Sequence, residues 1–133
     1  MSTLQVGTIK SSGSSAPIFQ NSSGVEKGQL CKAWIHFDGQ STVQIRDSFN
    51  VSQLDDNGTG DYTIHFSNAM SNTNYAVATT QPAQHNFTQA ILGIEQDHTN
   101  AFATGSIRVQ SVKTGNNSAV DRDVQCVVIF GDQ

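Results

Sequence analysis

Three sets of residues in this chain have the types and spacing that chemistry requires. Asp55, Asn57 and Thr59 fall at alternate positions ahead of Gly60, the way oxygen ligands begin a calcium loop. Such a loop also needs a bidentate carboxylate at its twelfth position, and that residue is Phe66. Gly58-Thr59-Gly60-Asp61 occurs once, without the repeats of a calcium-binding β-roll. The expected role of Asp55–Asp61 is therefore a polar hairpin turn. His36 and His65 occupy matching triplets, Ile35-His36-Phe37 and Ile64-His65-Phe66. If each flanking pair faces a core, each imidazole points the other way, where it could ligate a metal only with symmetry copies of itself. A partly exposed sheet histidine is the plainer expectation.

Acids are paired at Asp55/Asp56, Glu95/Asp97 and Asp121/Asp123. Hydrolysis by two carboxylates needs them across a cleft, roughly 5–9 Å apart. These lie in polar, loop-like runs with no flanking aromatic platform, which reads as solvated turns. Ser106, in Thr104-Gly105-Ser106-Ile107, lacks the second glycine of a nucleophile elbow. No glycine-rich phosphate loop leads into a helix. The sequence assigns no catalytic residue, no cofactor site and no metal ligand, and the expectation is a protein that is not an enzyme.

The elements that would carry these residues are strands. Only 14% of the 133 residues are charged, against about 25% in an ordinary soluble protein; Ser, Thr, Asn, Gln and Gly take up the difference. Uncharged polar residues on a two-residue period suit sheet surfaces. Cys31, Ala33, Ile35 and Phe37 share one face of a first strand, with Lys32, Trp34, His36 and Asp38 on the other. Tyr62, Ile64 and Phe66 return on one face after the hairpin. Further strands are expected over Asn74–Thr80, Phe87–Glu95, Ala101–Val112 and Val120–Phe130, the last central because both its faces are apolar. Asn68–Thr73 could hold one helical turn. About eight short strands argue for an all-β fold, an antiparallel β-sandwich or jelly-roll-like domain over residues 30–133. Residues 1–29, rich in Ser and Gly around a few apolar side chains, form an extended N-terminal arm, with a short strand plausible around Leu4 and Val6. The arm holds too little apolar surface to offset the entropy of ordering it, so it is expected to anchor on a neighbouring subunit or another protein.

Charge and compartment narrow the partners. The net charge is −4 and the seven basic residues are scattered, so no stripe exists to neutralise adjacent phosphates and nucleic acid is not an expected partner. No apolar run reaches the roughly 20 residues that span a bilayer. MSTLQVGTIK has neither a basic patch nor an apolar stretch of signal-peptide type, and synthesis in a cytoplasm is expected. There Cys31 and Cys126 would be buried free thiols, with a bridge formed after release as the alternative. The sequons at Asn50, Asn57 and Asn86 would then be turn and strand chemistry only.

Four strings stand out: KAWIHFDG, VQIRDSFNVS, DNGTGDYT and AMSNTNYAV. Together with the closing SIRVQSV and VQCVVIFGD, they resemble the repeated module of tailed-bacteriophage fibre and tail-appendage proteins. The opening MSTLQVGTIK…SAPIF is similar to the N-terminal segment of such proteins. His36 and His65 depart from the pattern, standing where small polar residues are expected. The resemblance implies a β-rich, non-enzymatic, trimeric virion component, a tail fibre or tail-associated appendage, with a capsid decoration or head-fibre protein as the alternative. It also implies binding to other virion proteins through the arm. Attachment to a host-surface glycan or protein would use loops such as Gln81–Phe87 or Gly115–Ala119.

Overall fold

The computed structural model describes residues 3–13, 17–82, 90–94 and 101–133. It divides into two compact units, Met1–Leu30 and Cys31–Gln133.

The first unit contains a small antiparallel hairpin, β1 (Phe19–Gln20) with β2 (Glu26–Gly28). Its turn is built on Asn21, whose side-chain oxygen accepts from the amides of Ser23 (3.1 Å) and Val25 (2.9 Å). Gly24 takes the positive φ, 75°, that the turn requires. The short strand expected around Leu4 and Val6 is absent; a stretch with no partner strand gains no ladder hydrogen bonds. Leu4 keeps 80% of its surface exposed, and Ile9, Ile18 and Val25 are also exposed.

The second unit is all β. Its strands are β3 (Ala33–Asp38), β4 (Gln44–Phe49), β5 (Val51–Gly58), β6 (Asp61–Phe66), β7 (Ala76–Thr80), β8 (Ala90–Ile94), β9 (Ser106–Lys113) and β10 (Gln125–Phe130). They form two four-stranded sheets, ordered β4-β3-β10-β7 and β5-β6-β9-β8, with every pairing antiparallel. The β3–β4, β5–β6 and β8–β9 pairings join sequence neighbours, and β3–β10 and β6–β9 set early strands against late ones, a sandwich-like arrangement. Alternation decides which side chains meet between the sheets. Ala33, Ile35, Phe37, Val127 and Ile129 from one sheet pack with Tyr62, Ile64, Phe66, Leu92, Ile107 and Val109 from the other. Phe37 and Tyr62 meet edge-to-face at 5.0 Å. Burying side chains of this size contributes roughly 1.5–3 kcal/mol each.

β10 is central, as its two apolar faces suggest, and Val127 and Ile129 supply its buried side. The chain moves from the first sheet to the second at Asn50, which has φ 57°, a conformation that asparagine tolerates well. The Asn50 side chain fastens this corner: it donates to the Lys32 carbonyl (2.9 Å) and accepts from the Asn68 amide (2.7 Å).

Several boundaries differ from expectation. β5 runs through Asp55–Gly58, so the hairpin turn shrinks to Thr59–Gly60. Asn57 is a bulged residue whose side chain donates to Thr63 Oγ1 (2.8 Å), which keeps this polar run in the ladder. Asn68–Thr73 is a series of bends rather than a helical turn. The last two strands begin late, at Ser106 and Gln125. The segment before β10 turns inward instead, and so Asp121 is not a solvated turn. Its Oδ1 accepts from the Tyr62 hydroxyl (2.8 Å) and the Gly60 amide (2.6 Å), while Asp123 is exposed. This acceptor closes one end of the sandwich over a polar layer that includes fully buried Ser111 and Gln125. The expected strand Phe87–Glu95 is seen as β8; its flanks, the Glu95/Asp97 pair, the Asn86 sequon and most of the Gln81–Phe87 loop lie outside the described residues.

Candidate functional site

The outer face of the β5-β6-β9-β8 sheet is polar. Register places Gln53, His65 and Ser106 in one row and Asp55, Thr63 and Arg108 in the next. Their side chains satisfy one another. His65 Nε2 lies 2.7 Å from Asp55 Oδ2, and the Gln53 amide also donates to Asp55. Arg108 forks onto Asp61 through Nε (2.8 Å) and a terminal nitrogen (2.5 Å). The Gln53 amide, followed by His65, holds the Asp55 carboxyl below its ordinary range; Arg108 does the same for Asp61.

The outer face of the β4-β3-β10-β7 sheet is divided. At one end the bulged Arg46 pairs with Asp38 (2.8 Å) and lies 3.4 Å from His36 Nε2, with Asp47 opposite His36. The Gln40 amide, together with Arg46, keeps the Asp38 carboxyl below its usual range. At the other end Phe49, Trp34, Val128 and Ala78 form one continuous row across all four strands. Phe130 and Ala76 lie beside it. Phe49 is 53% exposed and Phe130 39%, Ala76 and Ala78 are exposed, and Trp34 and Val128 are half-buried. Here apolar side chains stand where the opposite sheet carries hydrogen-bonded polar ones. Cys126 borders the block; burial raises its thiol above the ordinary range, opposed by nearby Arg46.

The remaining candidates resolve individually. Asp55 and Asn57 already have partners within the sheet, and no group of three or more potential metal ligands forms among the described residues. His36 and His65 both leave the core, on opposite sheets, so the two do not meet. His65 does stand between Asp55 and Ser106, the order of a Ser-His-Asp set. Yet among the described residues no hydrogen bond joins the Ser106 hydroxyl to the ring, and the three lie on an open sheet face rather than in a cleft. Cys31 and Cys126 are free and half-buried rather than fully buried. Cys126 pairs in register with His36, five residues along the chain from Cys31, or roughly 17 Å of strand; a bridge needs Cα atoms within about 7 Å. The Gly115–Ala119 loop is exposed. Alternation within each strand made both faces readable, but sheet order made the apolar row: Phe49, Trp34, Val128 and Ala78 come from four separate segments.

No family model, no curated protein and no solved structure matches the chain.

Proposed function

We propose that this chain is a non-enzymatic structural protein of a bacteriophage virion, a homotrimeric tail fibre or tail-associated appendage. The arm anchors it to other virion proteins, and the sandwich is displayed outward. One observation carries the reading: both units keep apolar side chains on the outside, Leu4, Ile9, Ile18 and Val25 in the arm and Phe49 and Phe130 in the body. Surface of that kind fits a protein that functions within an assembly. The resemblance of KAWIHFDG, VQIRDSFNVS and DNGTGDYT to the phage module supplies the kind of assembly. Exposed loops such as Gly115–Ala119 are then the surfaces available to a host glycan or protein.

Locating the chain in images of the particle tests the proposal. A few multiples of three or six copies at the tail support the appendage reading, and hundreds of copies on the shell would replace it with a capsid decoration protein. Absence from purified particles would refute both.

A further inference from the structure

We infer that Asn57 is a site of covalent modification. When the β5–β6 hairpin opens, Asn57 and Gly58 react to give aspartate or isoaspartate at position 57; while it is closed, its own hydrogen bonds hold the pair unreacted. Asn57-Gly58 is the single Asn-Gly pair in the chain, and every other asparagine precedes a residue that carries a side chain. Glycine leaves its backbone nitrogen free to approach the preceding side chain with no Cβ in the way. The Gly58 nitrogen gives up its proton to hydroxide and attacks Asn57 Cγ. A C–N bond forms, the Cγ–Nδ2 bond breaks, and the leaving nitrogen takes a proton from water and departs as ammonia. Water then opens the cyclic imide at either carbonyl. The only co-reactant is solvent, and both residues are exposed to it.

The fold restrains both reacting groups. Asn57 Nδ2 donates to Thr63 Oγ1 (2.8 Å) and lies 3.4 Å from Asp61 Oδ1. The Gly58 amide donates to Asp56 Oδ1 (3.0 Å). A carboxylate in that place favours the protonated amide and opposes the anion that must attack. Pairing of Asp56 with Tyr62 and of Gly58 with Asp61 fixes the backbone on either side. Reaction therefore waits for local opening, and its rate follows the open fraction. Reclosure is then altered. The new carboxylate puts an acceptor beside Asp61 where a donor stood, and isoaspartate also lengthens the backbone by one methylene, which breaks the register. The modification is a permanent record of opening in this hairpin, whatever assembly the chain joins.

The test is peptide mass spectrometry with an isoaspartate assay on the full chain, aged in native buffer and in urea at the same mildly alkaline pH. Asn57 should react fastest of the asparagines in urea and many-fold more slowly in native buffer. Thr63→Val removes the acceptor for the Asn57 amide and keeps a residue suited to a strand. Asp56→Ala removes the exposed carboxylate at the Gly58 amide. Each should react several-fold faster than the wild type in native buffer and at the wild-type rate in urea, with circular dichroism showing the strands intact. Acceleration in one folded variant supports the inference, so Asp56→Ala decides alone if Thr63→Val does not fold. Asn57 intact in urea overturns it, as do equal wild-type rates in the two solvents or no acceleration in any folded variant. The particle images judge the virion reading separately in every case.

Discussion

The two outer faces of the sandwich are built on the same backbone pattern yet reach different ends. On β5-β6-β9, His65 bonds Asp55, Arg108 forks onto Asp61 and Asn57 donates to Thr63, so these polar groups find partners within one chain. On β4-β3-β10-β7, the row Phe49, Trp34, Val128 and Ala78 offers only the Trp34 indole N–H as a side-chain polar group, and Phe49 and Ala78 are exposed. The difference is one of saturation. A cross-strand polar ladder uses up its own bonding capacity, whereas an apolar row gains only when something excludes water from it. The polar face contributes to the monomer and the apolar face to whatever covers it.

Measurements on the isolated body sharpen this contrast, and the largest effects should come where the faces do not differ. Ile35→Ala and Ile64→Ala remove equivalent core side chains from the two sheets and should each cost about 2–5 kcal/mol in urea unfolding. A much smaller loss on either side would mean the sheets do not share one core. Gly60→Ala comes next: φ is +67°, and an added Cβ would press on the backbones of Ser111 and Val120. A cost of about 3 kcal/mol is expected from strain and overpacking together, and retention of full stability would show that this turn can relax. Asp121→Ala removes the acceptor for both Tyr62 and Gly60 and should cost about 1–3 kcal/mol.

Smaller effects separate the outer faces themselves. Asp38, Asp55 and Asp61 are each held below the ordinary carboxyl value of 3.8. A depressed folded-state value stabilises fully above the unfolded value and is lost as pH falls through the folded one, so stability should decline below about pH 4. Arg108→Gln should reduce the Asp61 share of that decline, and an unchanged acid profile would mean the fork contributes nothing. The weakest change is His65→Ala. Both side chains of the His65–Asp55 hydrogen bond are 38% exposed, so solvent screening should make its loss in urea unfolding the smallest of the set.

Much of this molecule is legible in its sequence because strands betray themselves by alternation. The residues that alternate as Ala33, Ile35, Phe37 and Tyr62, Ile64, Phe66 are the ones buried between the sheets, since neighbouring side chains on a strand must point to opposite faces. Readings that depended on a polar residue's partner fared worse. Asp55, Asn57 and Asp121 look like turn residues in isolation, and each bonds to a side chain or amide outside its own local segment. Composition cannot distinguish an aspartate facing water from one facing a tyrosine hydroxyl brought in from 59 positions away.

The sequence by itself therefore determined an all-strand body, its inward-facing residues and the change of character near residue 30, because each follows from local periodicity and composition. Only the tertiary structure decided which strands are neighbours. That choice aligned Phe49, Trp34, Val128 and Ala78 into one apolar row, separated Cys31 from Cys126, and turned Asp121 from a loop acid into the acceptor that closes the sandwich. Pairing between distant segments depends on how the whole chain buries its core, and no short stretch of residues carries that information.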